Sequence, residues 1–434
     1  MANNNRTMLD GILYRLKKII PRRLFGFFQP AYHYSLAAIG ALLYRFPSRG
    51  MTVIAVTGTK GKSSTVEILN AILEEAGYKT ACTNTIRFKI GDHTEDNLYK
   101  MSMPGRMFMQ RFLRRAKNAG CTHVVLEATS QGAALYRHLF IAYDGLIFTN
   151  LAPEHIEAHG SYENYVKAKL KIAEAVAKSP KKRTILVANA DDKETPLFLA
   201  KNFSEKITYS LSDAKPYALA KDGFDMTVEK TKIHSLLTGE FNLQNEVAAI
   251  KMARAIGVSM DACKRAIEKF SGIRGRVEKI KAGQDFDVIV DYAHTPDSLQ
   301  KLYDVYKGQR RICVLGNTGG GRDTWKRDEM AKIAEHECDE IVLTNEDPYD
   351  DDPKKIVEDM AEAISTDARE KKLHVIMDRR EAIRTALTLA KSGDAVLITG
   401  KGTDPYIMGP NNTKTPWSDA AVAREELGKL TGRP

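Results

Sequence analysis

From residue 51 onward the chain alternates short β-branched runs with helical stretches, and this alternation restricts the fold more than any other feature. Runs at 52–56, 123–126, 145–149 and 184–188 read as strands, and 63–76, 107–119, 161–177 and 240–256 read as helices. A second series has strands at 287–290, 311–315, 340–343, 373–376 and 395–398, separated by helices near 295–306, 327–336, 353–364 and 380–390. Strands joined through helices cross over and pair in parallel, so the expected class is α/β with a wound, mostly parallel sheet. Ser271-Gly272-Ile273-Arg274-Gly275 interrupts the periodicity between the two series. The expected organisation is a leader at 1–49, a larger central unit at 50–272 and a smaller Rossmann-like α/β unit at 273–434. Open parallel sheets receive ligands beyond the carboxyl ends of their strands, so motifs at those ends are candidates for chemistry.

The first such end carries Thr57-Gly58-Thr59-Lys60-Gly61-Lys62-Ser63-Ser64-Thr65, running from strand into helix. Glycines let the backbone close around a phosphate, turn N–H groups and the helix N-terminus face the anion, and Lys62 adds a point charge. The Ser63 hydroxyl is placed to bind Mg²⁺. The general phosphate-loop template has Gly where this chain has Val56, but the strand before and the amphipathic helix after supply the expected context. Glu127, in Leu126-Glu127-Ala128-Thr129-Ser130, ends a predicted strand near this loop, a plausible position for a metal ligand.

The phosphate loop resembles that of the Mur ligase family, whose relatives include folylpolyglutamate synthases. Thr149-Asn150-Leu151-Ala152-Pro153-Glu154-His155-Ile156-Glu157-Ala158-His159-Gly160, followed by Tyr162 and Tyr165-Val166-Lys167-Ala168-Lys169, is similar to the family string T-N-L-x-x-D-H-L-D-x-H-G…Y-x-x-A-K, with Glu154 in place of Asp. The resemblance implies a metal role for Glu127, a second Mg²⁺ on His155, and carbamylation of Lys169. A carbamate turns a cation into an anionic oxygen ligand suited to Mg²⁺. Leu237-Thr238-Gly239-Glu240-Phe241-Asn242-Leu243-Gln244-Asn245 resembles the family's L-x-G-x-F-N-x-x-N helix start, whose two amides on one face can hydrogen-bond nucleotide. Gly275-Arg276-Val277-Glu278 and Asp291-Tyr292-Ala293-His294-Thr295-Pro296-Asp297-Ser298-Leu299 match two further family strings. By resemblance, Arg276, Asp291 and His294 reach over from the last unit to the ATP held by residues 57–64.

Gly316-Asn317-Thr318-Gly319-Gly320-Gly321-Arg322-Asp323, with Lys326-Arg327, is similar to the branch that adds the third residue to UDP-MurNAc-L-Ala-D-Glu. Asp378-Arg379-Arg380 and Gly400-Lys401-Gly402-Thr403-Asp404 also resemble it. The implied function is an ATP-dependent amide-bond ligase of peptidoglycan precursor synthesis that phosphorylates the acceptor carboxylate and then joins an amino acid. Ser102, Thr129 and Arg137 fall at acceptor-side positions. Arg327, Asp347, Pro348, Tyr349, Gly400 and Asp404 fall at positions facing the incoming amino acid. Three departures stand out. The leader occupies the place of the family's uridine-nucleotide-binding domain, and Gly-Lys-Gly-His-Glu has become Gly400-Lys401-Gly402-Thr403-Asp404. The selecting string D-N-P-R has become Glu346-Asp347-Pro348-Tyr349, followed by Asp350-Asp351-Asp352. An Arg would grip a distal carboxylate bidentately. Tyr349 cannot, and the Asp run is expected to favour an ammonium such as that of lysine or ornithine. Two alternatives stay open: a ligase acting on a lipid-linked muropeptide, and a nucleotide-binding scaffold without turnover.

The net charge of +10 fits anionic partners such as nucleotides, phosphorylated substrates or anionic lipid. Nucleic acid is excluded as a partner class, because no Arg/Lys stripe is interleaved with aromatics and acidic residues are spread throughout. The leader is basic through Arg6, Arg15, Lys17, Lys18, Arg22 and Arg23, then largely apolar at 24–46, interrupted by Pro30, His33 and Arg45. Its unbroken apolar part is short of the ~20 residues a spanning helix needs. It either packs on the main body, the preferred reading, or lies in a membrane interface. A cytoplasmic monomer is expected, with peripheral contact at the inner membrane face through residues 1–46 as the second reading. The five scattered cysteines are read as separate buried thiols in a reducing compartment.

Overall fold

The structure, a computed structural model, describes residues 22–105, 107–154, 156–321 and 324–432. His155, Arg322, Asp323 and the leader's residues 1–21 therefore lie outside the described residues.

The central sheet is built from β1 (Thr52–Thr57), β2 (Thr80–Thr83), β3 (Arg87–Ile90), β4 (His93–Asp96), β5 (His123–Glu127), β6 (Gly145–Phe148), β7 (Ile185–Asn189) and β8 (Glu205–Tyr209). Their order is β4-β3-β2-β5-β1-β6-β7-β8. All pairs are parallel except β2–β3 and β3–β4. Strand β1 is buried on both faces, and the two-residue period of a strand divides its side chains between two cores. Ile54 and Val56 pack with Val66 and Leu69 of the helix Lys62–Glu75 and with Val247 of the helix Glu240–Ala255. Val53 and Ala55 pack with Phe112 of the helix Phe108–Asn118 and with Val166 and Ile172 of the helix Tyr162–Ala177. The register that results sets Val56 beside Glu127 and Thr57 beside Phe148. The chemistry-bearing ends of β1, β5 and β6 therefore share one edge.

A three-stranded antiparallel sheet follows, with β9 (Ala218–Ala220), β10 (Gly223–Val228) and β11 (Thr231–Ser235). The last sheet contains β12 (Glu278–Lys279), β13 (Asp287–Val290), β14 (Arg311–Leu315), β15 (Glu340–Leu343), β16 (Leu373–Val375) and β17 (Ala395–Ile398), in the order β12-β13-β17-β14-β15-β16. It is parallel apart from β12. A hairpin of β18 (Tyr406–Gly409) and β19 (Thr413–Pro416) flanks it. Arg379 clasps Asp419 through two hydrogen bonds, 2.7 and 2.8 Å, both side chains fully buried. The bidentate geometry pins the start of the helix Arg379–Leu389 to the last helix, Asp419–Thr431.

Each expected strand and helix is present, with ends within about two residues. The antiparallel edge β3–β4, the sheet β9–β11 and the hairpin β18–β19 were not read from the sequence.

The leader forms the helix Arg22–Leu43, with Pro30 inside it. It packs through one face: Tyr34 stands edge-on to Tyr136 and Phe140, and the Arg114 guanidinium donates to the carbonyl of Tyr44 at 2.9 Å. Tyr32, Ile39, Leu42 and Leu43 remain exposed. Among the described residues no helix is long and apolar enough to cross a membrane. The reading of the cysteines needs correction. β14 and the helix Lys326–Glu337 bring Cys313 and Cys338 to a Cα separation of 6.1 Å, and they form a disulfide. Cys82, Cys121 and Cys263 are free and buried.

Candidate active site

The loop between β1 and the helix Lys62–Glu75 is a close-fitting cradle. Gly58 has φ 152° and Gly61 φ 79°, and a Cβ would meet Thr149 Oγ1 at 1.9 Å and Asn245 Oδ1 at 2.3 Å, respectively. Only glycine fits both the conformation and the space. The segment after β6 braces this loop from outside. Asn150 accepts from the Lys60 N–H at 2.9 Å through Oδ1 and from the Thr59 N–H at 2.7 Å through its carbonyl. The Thr149 hydroxyl donates to the carbonyl of Lys60 at 2.7 Å. Thr59 Oγ1 shares a 2.8 Å hydrogen bond with the Tyr165 hydroxyl, and Thr57 Oγ1 donates to the carbonyl of Ala128 at 3.0 Å. Behind the loop, the Thr65 hydroxyl donates to Asn245 at 3.3 Å, and Asn242 donates to the Thr238 carbonyl at 2.9 Å. The amide pair Asn242 and Asn245 thus lies against the cradle. Ser64 is buried in the first turn of the helix.

In the first turn of the helix, Ser63 Oγ donates to Glu127 Oε2 at 2.7 Å, and the Thr85 N–H donates to the same oxygen at 3.2 Å. The Thr85 hydroxyl also meets Ser63 Oγ at 2.9 Å. A carboxylate with 1% exposure beside a hydroxyl at a phosphate loop is a hard-oxygen donor set of the kind Mg²⁺ takes.

Two lysines rest here on backbone oxygens, Lys169 buried and Lys62 half-buried. Lys62 Nζ donates to the Thr59 carbonyl at 2.7 Å, and Lys169 Nζ to the Gly58 carbonyl. Burial holds the Lys62 ammonium below its usual range, against the pull of Glu127 and Glu154. Burial, with repulsion from Lys62, drives Lys169 well below its own. An amine that sheds its proton is the form that adds CO₂, whereas an arriving polyanion restores the charge of Lys62.

Glu154 joins the two sheets. Its Oε1 takes Lys60 Nζ at 2.9 Å and lies 3.3 Å from His294 Nε2, while His294 Nδ1 donates to the Tyr292 carbonyl at 2.7 Å. Burial and the nearby Lys60 charge hold the His294 imidazole below its usual pKa. The Arg276 guanidinium lies 4.3 Å from the Tyr292 ring centroid and 3.5 Å from Thr85 Oγ1. Asp291 behaves differently from its neighbours: its two oxygens accept the Val277 and Ala293 N–H groups, both at 2.7 Å, so it folds the loop that carries Arg276 and His294.

The acceptor-side candidates form a second cluster. Thr129 caps the helix Ser130–Ala134 by accepting from the Gly132 N–H at 3.1 Å. Arg137 donates to the Met103 carbonyl at 2.6 Å, and Ser102 Oγ is buried without a hydrogen-bond partner among the described residues. The amino-acid-side candidates gather beyond β15 and β17. Asp347 and Asp404 converge on one ammonium, that of Lys100, at 2.8 Å each. Gly400 backs onto Glu346, and Pro348 and Tyr349 line the Gly319–Gly320 turn. Arg327 points to a different carboxylate, Asp359, at 3.0 Å. The Asp run has a local structural role. Asp350 accepts from the Asn411 N–H, Asp351 from the Gly320 N–H and Asp352 from the Lys354 N–H, so all three fold turns and a helix cap. Sequence reasoning missed Thr85 and Lys100. Both are loop residues outside any periodic pattern, and no local signal marks them.

The chain matches the model of the Mur ligase middle domain over residues 56–253 and that of the Mur ligase glutamate ligase domain over 275–402. It is 36% identical to a UDP-N-acetylmuramyl-tripeptide synthetase from Roseiflexus sp. (strain RS-1), covering 91% of this chain and 82% of the relative. It is 34% identical to a UDP-N-acetylmuramoyl-L-alanyl-D-glutamate–2,6-diaminopimelate ligase from Syntrophomonas wolfei subsp. wolfei, with the same coverage. A solved ligase of that second description superposes with a TM-score of 0.63 at 26% identity, over 91% of this chain and 83% of that one. The fold alone is shared with a Mycobacterium tuberculosis folylpolyglutamate synthase, at a TM-score of 0.68 and 16% identity over 92% and 96% of the two chains. A phosphate cradle braced by Thr149 and Asn150, closed by His294 from a second parallel sheet and matched by relatives along nearly its whole length, shows that this chain belongs to the Mur ligase family of ATP-dependent ligases.

Proposed function

We propose that this ligase adds a diamino acid to the carboxylate of a UDP-MurNAc-L-Ala-D-Glu-type acceptor in the cytoplasm, working as a monomer, at the expense of ATP. The observation that carries the reading is the 2.7 Å contact of Ser63 with the buried Glu127, set against the two lysines that rest on carbonyls of the cradle. Functional boundaries are proposed at 49/50 and 272/273.

ATP is held with its phosphates against the N–H groups of Thr57–Ser64 and the ammonium of Lys62, flanked by Asn242, Asn245, Arg276 and His294, on the loop that Asp291 folds. Ser63, Glu127, His155 and carbamylated Lys169 would hold two Mg²⁺ ions, which supply neutralisation of phosphate charge. An acceptor carboxylate oxygen, steered by Ser102, Thr129 and Arg137, attacks the γ-phosphorus, and ADP leaves. Lys62 and the loop N–H groups stabilise the charge that spreads over the moving phosphoryl group. The amine nitrogen then attacks the acyl carbon, loses a proton and expels phosphate, leaving an amide. Closure through the Lys60–Glu154–His294 contact excludes water that would hydrolyse the acyl phosphate. Asp347, Pro348, Tyr349, Gly400 and Asp404 receive the amino acid, with Arg327 on the adjoining helix. Incubation with ATP, Mg²⁺, UDP-MurNAc-dipeptide and lysine, ornithine or diaminopimelate tests this. ADP release dependent on both acceptor and amine is the expected result, and none with any amine would refute it.

The exposed stripe Tyr32, Ile39, Leu42 and Leu43 beside the basic leader favours a second reading, a membrane-associated acceptor such as a lipid-linked muropeptide. Flotation of the full chain with anionic vesicles, and its absence with neutral ones, is the outcome that reading requires.

A further inference from the structure

Lys100 belongs to the middle-domain loop that leads into Ser102-Met103-Pro104, yet its ammonium is docked in the C-terminal domain. There it lies 2.8 Å from Asp347 Oδ2 and 2.8 Å from Asp404 Oδ2. The seat has its own resident cation: Lys401 Nζ donates to Asp347 Oδ1 at 2.7 Å and to the Tyr406 carbonyl at 2.7 Å, and the Met408 N–H donates to the same Asp347 oxygen at 2.8 Å. Asp347 Oδ1 is thus satisfied from within its own domain, while Oδ2 faces the visitor. A third carboxylate stands behind them. Glu346, 3% exposed, accepts from the Thr318 hydroxyl through Oε1 at 2.8 Å, and its Oε2 has no hydrogen-bond partner among the described residues. That oxygen lies so close to Gly400, the residue before Lys401, that a Cβ there would come within 2.3 Å of it.

The charges decide what the seat can hold. Arg379 also faces Glu346 and Asp347 but is committed to Asp419, so Glu346, Asp347 and Asp404 are left with Lys401, and without Lys100 the seat is short of cation. A buried carboxylate group left so is costly, and one further ammonium relieves it. The Tyr292 phenol registers the same field, pushed well above its usual range chiefly by Asp404. Tyr292 also stacks under Arg276, which reaches Thr85 at the phosphate cradle. The seat is therefore linked to the phosphate cradle through Tyr292 and Arg276.

We propose that Lys100 is a tethered ammonium occupying the seat of the incoming diamino acid's distal ammonium, so that substrate binding and withdrawal of Lys100 are a single exchange. The inference rests on the ligase reading above and adds a specificity device to it. An amino acid without a distal cation cannot displace Lys100 and is rejected, while one with a distal ammonium replaces like with like. Displacement also frees the loop that carries Ser102, coupling the amine seat to the acceptor side.

Calorimetry of the full chain with L-lysine alone tests the exchange. A tethered group competes at an effective concentration in the millimolar range. K100M is therefore expected to bind L-lysine at least about tenfold tighter than the wild type. K100R, which keeps the cation, is expected to stay near the wild-type value and controls for folding. Norleucine, the same length without the ammonium, is expected to gain nothing in K100M, and D404N in the K100M background is expected to abolish the gain. L-lysine bound no tighter by K100M, or norleucine tightened equally, overturns the proposal. Failure of the ligase reading looks different: the wild type releases no ADP with any amine, while the calorimetric gain in K100M persists.

Discussion

The phosphate cradle and the acidic seat both bury lysines, and they settle the charge in opposite ways. In the cradle, Lys62 and Lys169 rest on the carbonyls of Thr59 and Gly58, and burial drags both below their usual pKa. In the seat, Lys100 and Lys401 rest on Asp347 and Asp404, and Lys100 is held above its usual range despite its burial. A carbonyl dipole compensates a cation only in part, so the cradle gains when an anion arrives. A carboxylate compensates fully, so the seat accepts a new cation only by giving one up. One region is built to receive, and the other to exchange.

The largest effect is expected at the cradle. Lys62→Ala removes the charge that meets the moving phosphoryl group, and kcat for ADP release should fall about 10³-fold. A loss within about threefold of wild type would mean that the lysine on a carbonyl is structural, since removing one such donor ordinarily costs far more. His138 sharpens the contrast, being buried with neither carbonyl nor carboxylate on Nδ1. Burial, with the nearby Lys171 charge, lowers its imidazole from 6.5 to about 4. A depressed folded-state pKa gives stability that is full above pH 6.5 and is lost as pH falls toward 4. That group alone accounts for about 3 kcal/mol of acid sensitivity. Denaturant unfolding of His138→Gln at pH 7 and pH 4 should show the loss reduced by about that amount.

Lys169→Ala should lower ligation about 10²-fold, with partial return on adding a short carboxylic acid that supplies the missing oxygens. An unchanged rate would count against the carbamate. The smallest effect belongs to the seat. In the Lys100→Met background, where no tethered cation shares the loss, Asp404→Asn should raise KM for the diamino acid about tenfold, the typical worth of one charged hydrogen bond, and leave KM for ATP unchanged. A parallel rise in both would mean that the seat and the cradle are one electrostatic unit.

The fold was legible where the hydrophobic period was long. β1, β5, β13, β14 and β17 are continuous buried runs, and the helices between them bury one face each. β4 is exposed along its whole length, and β3 carries Arg87 and Lys89, so neither shows a buried period and the antiparallel edge stayed hidden. The site divides likewise. Thr57–Ser64 and Glu127 were readable because a strand end fixes their position. Thr85 and Lys100 arrive from loops, and only the tertiary path brings them to Ser63 and Asp404. The local role of the Asp350–Asp352 run was hidden because composition records charge and not hydrogen bonding: one oxygen of each carboxylate accepts a backbone N–H. The disulfide was equally invisible, since Cys313 and Cys338 meet only through the packing of a strand on its helix.

ADP release by the purified full chain, with ATP, Mg²⁺, UDP-MurNAc-L-Ala-D-Glu and L-lysine, tests the account most directly. Turnover that requires both acceptor and amine, and that yields the amide in step with ADP, is the expected result. ATP consumed without an amide, or no turnover with any diamino acid, would contradict it.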